Sequence, residues 1–361
     1  MSLWYRMRTT FSMLHREAVI AGISLPELMV DVLLFCSRTG LGPRYYVVAG
    51  MARKGFPEDQ KRRHISAGKY YRALEVLNPI LYRKLTQSKV AEKALYQFIH
   101  VPTAGMLGYY HPSAGFDTGG GDLRSEAQLE SLLLSNEGRR VCVKPEEGWG
   151  GVGVIVGEIT VNQGEPCLRR YPSGQIVDVK QLLSLYQRAG QLAAFIVEDF
   201  LQQSDEFMNF NPDSLNTVRL WVLEAEMGEP QVIGAYLRVG REGSAIDNAS
   251  AGGMMFPIDI HTGTILPGLT KHTPHRDDIL EHPDHRRMIA GQQLTNWQAI
   301  MRFSESVVAR LPQTRFAGLD VTMTPQGPVL VEANVAPDKD GAAHGNIPSL
   351  LIWQAAVKHH D

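Results

Sequence analysis

Phe316-Ala-Gly-Leu-Asp320-Val-Thr-Met-Thr-Pro325-Gln-Gly327-Pro-Val-Leu-Val-Glu332-Ala-Asn334 is the stretch whose reading decides the fold. Two apolar, β-branched runs flank Pro325-Gln326-Gly327, the pattern of a hairpin. A three-residue loop with glycine in the left-handed position pairs Thr324 with Pro328. Counting outward, Asp320 then faces Glu332. Opposed Cβ atoms sit roughly 4.5–5.5 Å apart, where like charges repel. Asn334 lies two residues on and shares that face. Two carboxylates and an amide oxygen suit a hard cation such as Mg²⁺, which completes its shell with water and phosphate. The competing reading is an exposed polar sheet face.

Upstream, Thr217 to Glu226 and Gln231 to Gly240 flank Met227-Gly-Glu-Pro230. A four-residue loop sets Arg219 opposite Arg238. Two guanidiniums side by side are costly unless an anion lies between them, and the planar fork suits phosphate or carboxylate. The plain alternative gives each arginine its own acidic partner. Both registers are inferences, since a slip of one residue moves every side chain to the other face.

Further upstream, Val141-Cys-Val-Lys144-Pro145-Glu-Glu-Gly148-Trp-Gly150-Gly151-Val-Gly153-Val reads as a strand, a lysine, a glycine-rich turn and a second strand. Glycines allow backbone N–H groups to approach phosphate oxygens closely. A strand follows rather than a helix, so neither the Walker pattern nor the dinucleotide fingerprint applies. Phe195-Ile-Val-Glu198-Asp-Phe200-Leu reads as a buried strand ending in a chain crossing, whose backbone and Glu198 could bond a purine edge.

Short β-branched runs also occupy 152–159 and 254–260, and helical patterns occupy about 124–135, 178–190 and 288–311. Mixed helices and hairpins predict an α+β fold with antiparallel sheets. Residues 1–100 read as mainly helical. A helix starts at Ser24 before Pro26 and is broken by Gly40, Gly42 and Pro43. Another ends at Asn78-Pro79, and one more spans about Leu81 to Phe98. The expected units are 1–100 (helical), 101–200 (containing the glycine-rich loop) and 201–361 (containing the acidic hairpin).

The composition excludes several classes. Lys plus Arg (36) nearly balances Asp plus Glu (38), which argues against a whole-chain grip on nucleic acid. The longest stretch free of charge, Ala94 to Phe116, holds two histidines and two prolines and is a poor membrane span. Cys36, Cys142 and Cys167 form neither a disulfide framework nor a zinc pattern, so a reducing cytoplasm is the simplest expected address. Trp4, Tyr5, Arg6 and Arg8 could touch a membrane surface weakly but read more readily as the opening of an ordinary helical domain. Lys61-Arg-Arg-His64 reads as a solvated helix face. The stripe Trp297, Ile300, Phe303 and Val307 reads as core. His272, His275, His282 and His285 lack a structural zinc spacing and read as a solvated or substrate-facing loop. Oligomeric state is not legible.

Taken in order, these pieces resemble the ATP-grasp superfamily of carboxylate–amine ligases, and most closely its sugar-transfer-associated members. Beyond the motifs above, the resemblance rests on Asn216-Thr-Val-Arg219, Leu237-Arg238-Val-Gly240, Asp247-Asn248-Ala-Ser250-Ala-Gly252-Gly253, Pro257-Ile-Asp259, His282-Pro-Asp284 and Gly318-Leu-Asp320. Asn78-Pro79 and Ser88-Lys89, ahead of Ile99-His-Val-Pro102-Thr103, also fit. The match covers about residues 75–345.

The resemblance implies an ATP-grasp fold in which two α+β subdomains clasp ATP. It implies phosphate-holding lysines at Lys89 and Lys144, and a lid at Gly148, Gly150, Gly151 and Gly153. Glu198 and Phe200 match the adenine hinge, and Asp205 or Glu206 the ribose acid. Asp320, Glu332 and Asn334 match the magnesium ligands, with Mn²⁺ as an alternative ion. Arg219 and Arg238 fall beside the transferred phosphate and substrate carboxylate, and Asn248 on a loop lining the same cleft. The implied activity is amide formation from a small carboxylate and an amine through an acyl phosphate, in a glycan or cell-surface polymer setting. The alternatives are phosphoryl transfer to a hydroxyl and a non-catalytic nucleotide-binding scaffold. Three departures stand out: Trp149 replaces a small hydroxyl residue, Glu146 and Glu147 bring negative charge near the phosphates, and residues 1–100 are helical where many relatives carry a parallel α/β domain.

Overall fold

The computed structural model describes residues 3–148, 151–187, 193–226, 228–249, 252–270 and 276–360. Seven helices open the chain: α1 (Leu3–Ala21), α2 (Leu25–Thr39), α3 (Pro43–Val48), α4 (Glu58–Lys61), α5 (Ala67–Leu77), α6 (Ile80–Arg83) and α7 (Lys89–Phe98). Ser24 caps α2 by accepting the Glu27 N–H at 3.3 Å, and Gly40 ends it in the left-handed region at φ 70°. The helix expected over Leu81–Phe98 is interrupted. A 3₁₀ turn at Lys84–Thr86 follows α6, and Ser88 restarts the chain as the cap of α7. The basic run is not a solvated face throughout. Lys61 is paired with Asp31 at 2.5 Å, and His64 is buried between Tyr45 and Asn346.

The first sheet contains β1 (Met106–Tyr110), β2 (Phe116–Asp117), β3 (Arg140–Pro145), β4 (Ile155–Asn162), β5 (Glu165–Arg170), β6 (Ile176–Asp178) and β7 (Phe195–Asp199). Its order is β2-β1-β7-β3-β4-β5-β6, with antiparallel pairs throughout. Helices α8 (Glu126–Leu134) and α9 (Val179–Tyr186) cover one face through Leu129, Leu133 and Leu182. Strands β1, β5 and β6 lacked an alternating signal strong enough to read from the sequence.

The short helix α10 (Asp205–Phe210) leads into the second sheet. This comprises β8 (Thr217–Glu224), β9 (Pro230–Val239), β10 (Met254–Ile258), β11 (Leu269–Thr270), β12 (Phe316–Thr324) and β13 (Gly327–Asn334), ordered β11-β10-β9-β8-β12-β13 and also antiparallel. Helix α11 (Trp297–Val308) packs Trp297, Ile300 and Val307 onto Val218, Leu220 and Leu237. On the opposite face, α5 and α13 (Leu350–His360) cover Trp221 and Leu223, and the ring of Tyr70 stacks on Trp221 at 6.0 Å. The strands between these layers are apolar on both sides, so β12 is buried along its whole length. The remaining helix, α12 (Asp340–His344), follows β13.

The acidic hairpin differs from expectation in its turn and agrees in its pairing. Thr324 faces Gly327 across a two-residue loop, which shifts the register by one. A bulge between Asp320 and Val321 shifts it back, so Asp320 does face Glu332. The arginine hairpin is corrected. Glu224 pairs with Pro230, and a second bulge lies at Trp221, so Arg219 faces Tyr236 and Arg238 faces Thr217. The offset is an even number of residues, so both arginines keep the same face. Asn78 ties this region to the helices. Its Nδ2 donates to the carbonyls of Phe316 and Val335, both at 2.6 Å, and its Oδ1 accepts the N–H groups of Arg315 and Phe316.

Candidate active site

On β8, Thr217, Arg219, Trp221 and Leu223 alternate onto one face. The apolar cover of α5 and α13 takes Trp221 and Leu223. Thr217 and Arg219 continue past it into a cleft of about 500 Å³ between the two sheets. That volume lies in the range of small-molecule sites. From the first sheet, Lys144, Gly148, Gly151, Glu198 and Phe200 line it. From the second come Arg219, Arg238, Asn248, Asp320, Glu332 and Asn334, and Lys89 enters from α7.

On the lysine wall, Glu198 is 1% exposed and bridges two cations. Lys144 Nζ meets its Oε1, and Lys93 Nζ lies 2.7 Å from its Oε2. Burial opposes the charge of Glu198, but Lys144 and Lys93 outweigh it and hold the carboxyl below its ordinary range. Lys144 is likewise held above its usual value, with Glu198 overcoming burial. The aromatic ring of Phe200 lies beneath Arg140, whose guanidinium is 6.0 Å from the ring centre.

On the opposite wall, the anion expected between the two arginines is Asp320 itself. Arg219 grips it bidentately, through Nε to Oδ1 and Nη2 to Oδ2 at 2.8 Å, and Arg238 Nη1 donates to Oδ2 at 2.7 Å. Burial works against the ionised form, and the two guanidiniums hold the carboxyl below its usual range. Arg238 also reaches Asp247 Oδ1 at 2.9 Å. Burial lifts the Asp247 carboxyl to about 6 against the pull of Arg238, and the Asp320 charge adds to the rise.

The family model for sugar-transfer associated ATP-grasp proteins matches residues 70–350, more than half of the chain. The chain belongs to the sugar-transfer associated ATP-grasp family. Its fold is therefore the α+β ATP-grasp fold, preceded by a helical region. No curated protein matches the sequence. Among solved structures, it is similar to an L-amino acid ligase from Bacillus licheniformis, with 11% identity, 76% of this chain and 48% of that chain covered, and a TM-score of 0.42. It is also similar to a biotin carboxylase–β-γ-ATP complex from Campylobacter jejuni (12% identity, 78% and 48% covered, TM-score 0.45). A third is a D-alanine–D-alanine ligase from Bacillus anthracis (13% identity, 78% and 71% covered, TM-score 0.40). The chain spans about half the length of the first of these ligases.

Three residues of this ATP-grasp chain were singled out by sequence but stand outside the cleft lining. Glu206 is turned away, its carboxylate accepting the Thr295 N–H at 2.9 Å and the Thr295 hydroxyl at 3.1 Å, and the neighbouring Asp205 is exposed. The Glu206 carboxylate is thus engaged by Thr295 and is not part of the cleft lining. Gly153 is not in the lining either; it lies at the base of the turn, where its carbonyl accepts the Tyr186 hydroxyl at 2.6 Å. Gly150, Trp149, Ser250, His272 and His275 lie outside the described residues. Gly151 is needed in two ways: its φ is +72°, and a Cβ there would come within 2.8 Å of Ile246 Cδ1. The glycine-rich turn thus abuts the loop carrying Asp247 and Asn248.

Glu146 and Glu147 do not face the cleft. Glu146 accepts from the Tyr109 hydroxyl at 2.6 Å and from Ser88, and Glu147 pairs with Lys84. His282 is buried with Nε2 on the Gly240 carbonyl, and the ring of His285 stacks on it at 3.8 Å.

Sequence reasoning missed Lys93, Glu92, Asp247 and Tyr236, all of which line the cleft. Lys93 lies one helical turn beyond Lys89, a spacing that places both on one face of α7. Glu92 is buried beside Glu332. Burial and then the charge of Glu332 lift its carboxyl to about 8, while Lys89, Lys93 and Lys144 pull the other way.

The donors suit a hard cation. Among the described residues no three His, Cys, Asp or Glu side chains cluster into a closed cage. Asp320, Glu332 and Asn334 line the same cleft and could offer an open, all-oxygen set of the kind that suits magnesium. A carboxylate offers about four lone-pair positions. Arg219 and Arg238 take three at Asp320, leaving one for a metal.

Proposed function

We propose that this chain is an ATP- and magnesium-dependent carboxylate–amine ligase. The observation that supports it is the facing of Lys89, Lys93 and Lys144 against Arg219, Arg238, Asp320, Glu332 and Asn334 across one cleft. We assign the helical unit to 1–100, the lid unit to 101–200 and the metal-bearing unit to 201–361.

A free carboxylate is a poor acyl electrophile. Transfer of the γ-phosphoryl group makes an acyl phosphate and releases ADP; attack by an amine then forms the C–N bond and releases phosphate. Magnesium, held by Glu332, Asn334 and the remaining position of Asp320, would neutralise phosphate charge. Lys144, Lys93 and Lys89 hold the triphosphate and fix its direction, which is most of what phosphoryl transfer asks of a protein. Phe200 and the β7 backbone bound the base. Arg238 and Arg219 present donors to the oxygens that gain charge, and removing one such donor typically costs roughly 10²–10³-fold in rate. The turn at Gly148 and Gly151 excludes water, which would otherwise hydrolyse the activated acid.

The test is ADP release from the full chain with a panel of small carboxylates, with and without candidate amines. ADP release that needs both partners, with an amide found by mass spectrometry, supports the ligase. A phosphorylated product formed without any amine supports transfer to a hydroxyl instead. Nucleotide binding by calorimetry with no ADP release under any condition supports the scaffold reading. The glycan or cell-surface setting rests on the family description, so amino sugars and sugar acids belong in the first panel.

A further inference from the structure

Helix α2 is apolar on both sides. Leu28, Val32 and Phe35 pack inward against Met13, Leu14, Tyr45 and Tyr46. The outward face carries Met29, Val30, Leu33 and Leu34, all exposed, with Leu33 at 64%. At the neighbouring end of α1, Val19 is 69% exposed and Ile20 46%. Further back on α1, Trp4, Met7 and Phe11 recur at helical spacing on an exposed stripe, with the Arg8 guanidinium over the Trp4 ring at 5.4 Å. Contiguous apolar patches of this kind mark interaction surfaces rather than chance exposure.

We propose that the outer face of α1 and α2 docks this chain onto an anionic lipid bilayer, lying in the interface without crossing it. Two observations choose this occupant. The first is charge. Residues 1–56 contain seven Lys and Arg against three Asp and Glu, while the whole chain carries −2. Two of those three acids are committed, since Glu17 is buried and Asp31 pairs with Lys61. Glu27 is left on the exposed side, against exposed Arg8, Arg38 and Arg44. An anionic surface complements that set. A second copy of the chain would set arginines against arginines in a two-fold contact.

The second observation is shape. Met7–Ala21 and Leu25–Thr39 together reach the apolar content of a membrane span, but they are bent through 113°, and no single helix among the described residues is long and apolar enough to cross. The 15 residues of α2 extend about 22 Å, short of the ~30 Å hydrocarbon core. The inward faces of both helices are held in the protein core, so only the outer faces are free to enter lipid.

The test is co-sedimentation of the full chain with vesicles of phosphatidylcholine alone and of phosphatidylcholine mixed with phosphatidylglycerol. The chain should pellet with the mixed vesicles several-fold more than with the neutral ones. Leu33→Ser and Val30→Ser should each weaken that binding several-fold, and Leu33→Glu on the order of tenfold, from the apolar area withdrawn from lipid. Arg38→Glu with Arg44→Glu should weaken it on mixed vesicles only. All these side chains are exposed, and melting curves by circular dichroism check that the fold survives. The proposal is overturned by no pelleting with mixed vesicles, by equal pelleting with both lipids, or by variants that bind like the parent chain. It is equally overturned by a dimer in sedimentation equilibrium that Leu33→Ser dissociates, which would give the face to a second copy.

Discussion

Replacing Lys144 with methionine separates two roles that the geometry joins. Its Nζ is the partner of Glu198 Oε1, and it lines the cleft where a triphosphate would lie. Methionine keeps the stem and removes the charge. Glu198 would retain Lys93 at 2.7 Å, so the pair is halved rather than destroyed. Breaking a buried pair outright costs about 3–5 kcal/mol, and with one partner kept we expect about half of that. A hydrogen bond to a charged group contributes about 1.5–3 kcal/mol, which is roughly ten- to a hundredfold in affinity for ATP. Calorimetric titration of ATP with magnesium measures the second effect, and chemical denaturation the first. Glu198→Gln is the control, since it disturbs the same pair while leaving Lys144 charged. It should destabilise the fold yet keep most of the nucleotide affinity. ATP affinity in Lys144→Met within about twofold of the parent would refute the phosphate role, whatever happened to stability.

Three further outcomes are expected. Glu332→Gln should lower magnesium-dependent ADP release at least about 10²-fold with little change in melting temperature; a folded variant with parental turnover would remove Glu332 from the metal set. Asn78→Ala deletes hydrogen bonds to both ends of the acidic hairpin and should cost about 2–5 kcal/mol in denaturant unfolding; a loss below about 1 kcal/mol would mean water replaces them. His64 is held near 4 by burial, with Lys339 adding to the depression, so the unfolded chain binds the proton first. Stability should therefore rise with pH between about 4 and 6.5, by up to about 3 kcal/mol, and level off above. Chemical denaturation across that range should show the slope, and His64→Gln should flatten it; an unchanged slope in that variant would assign it elsewhere.

The local signals were legible because they are short-range. Ser24 and Gly40 cap a helix through contacts within a few residues, and β-branched alternation marks Phe316–Thr324 whatever surrounds it. The face shared by Asp320, Glu332 and Asn334 followed from a period of two. It survived because the tighter turn and the bulge displaced the register in opposite senses. What the sequence by itself determined was therefore the family, the α+β class and a group of charged and glycine residues that line one cleft. Only the tertiary structure decided which charges neutralise which. Asp320 fills the space between Arg219 and Arg238, Lys93 joins Lys144 on Glu198, Glu206 turns away to Thr295, and the outer face of α2 is left bare. Those pairings join residues as much as a hundred positions apart, and the energy of an ion pair depends on separation and burial, neither of which is written in the order of the chain.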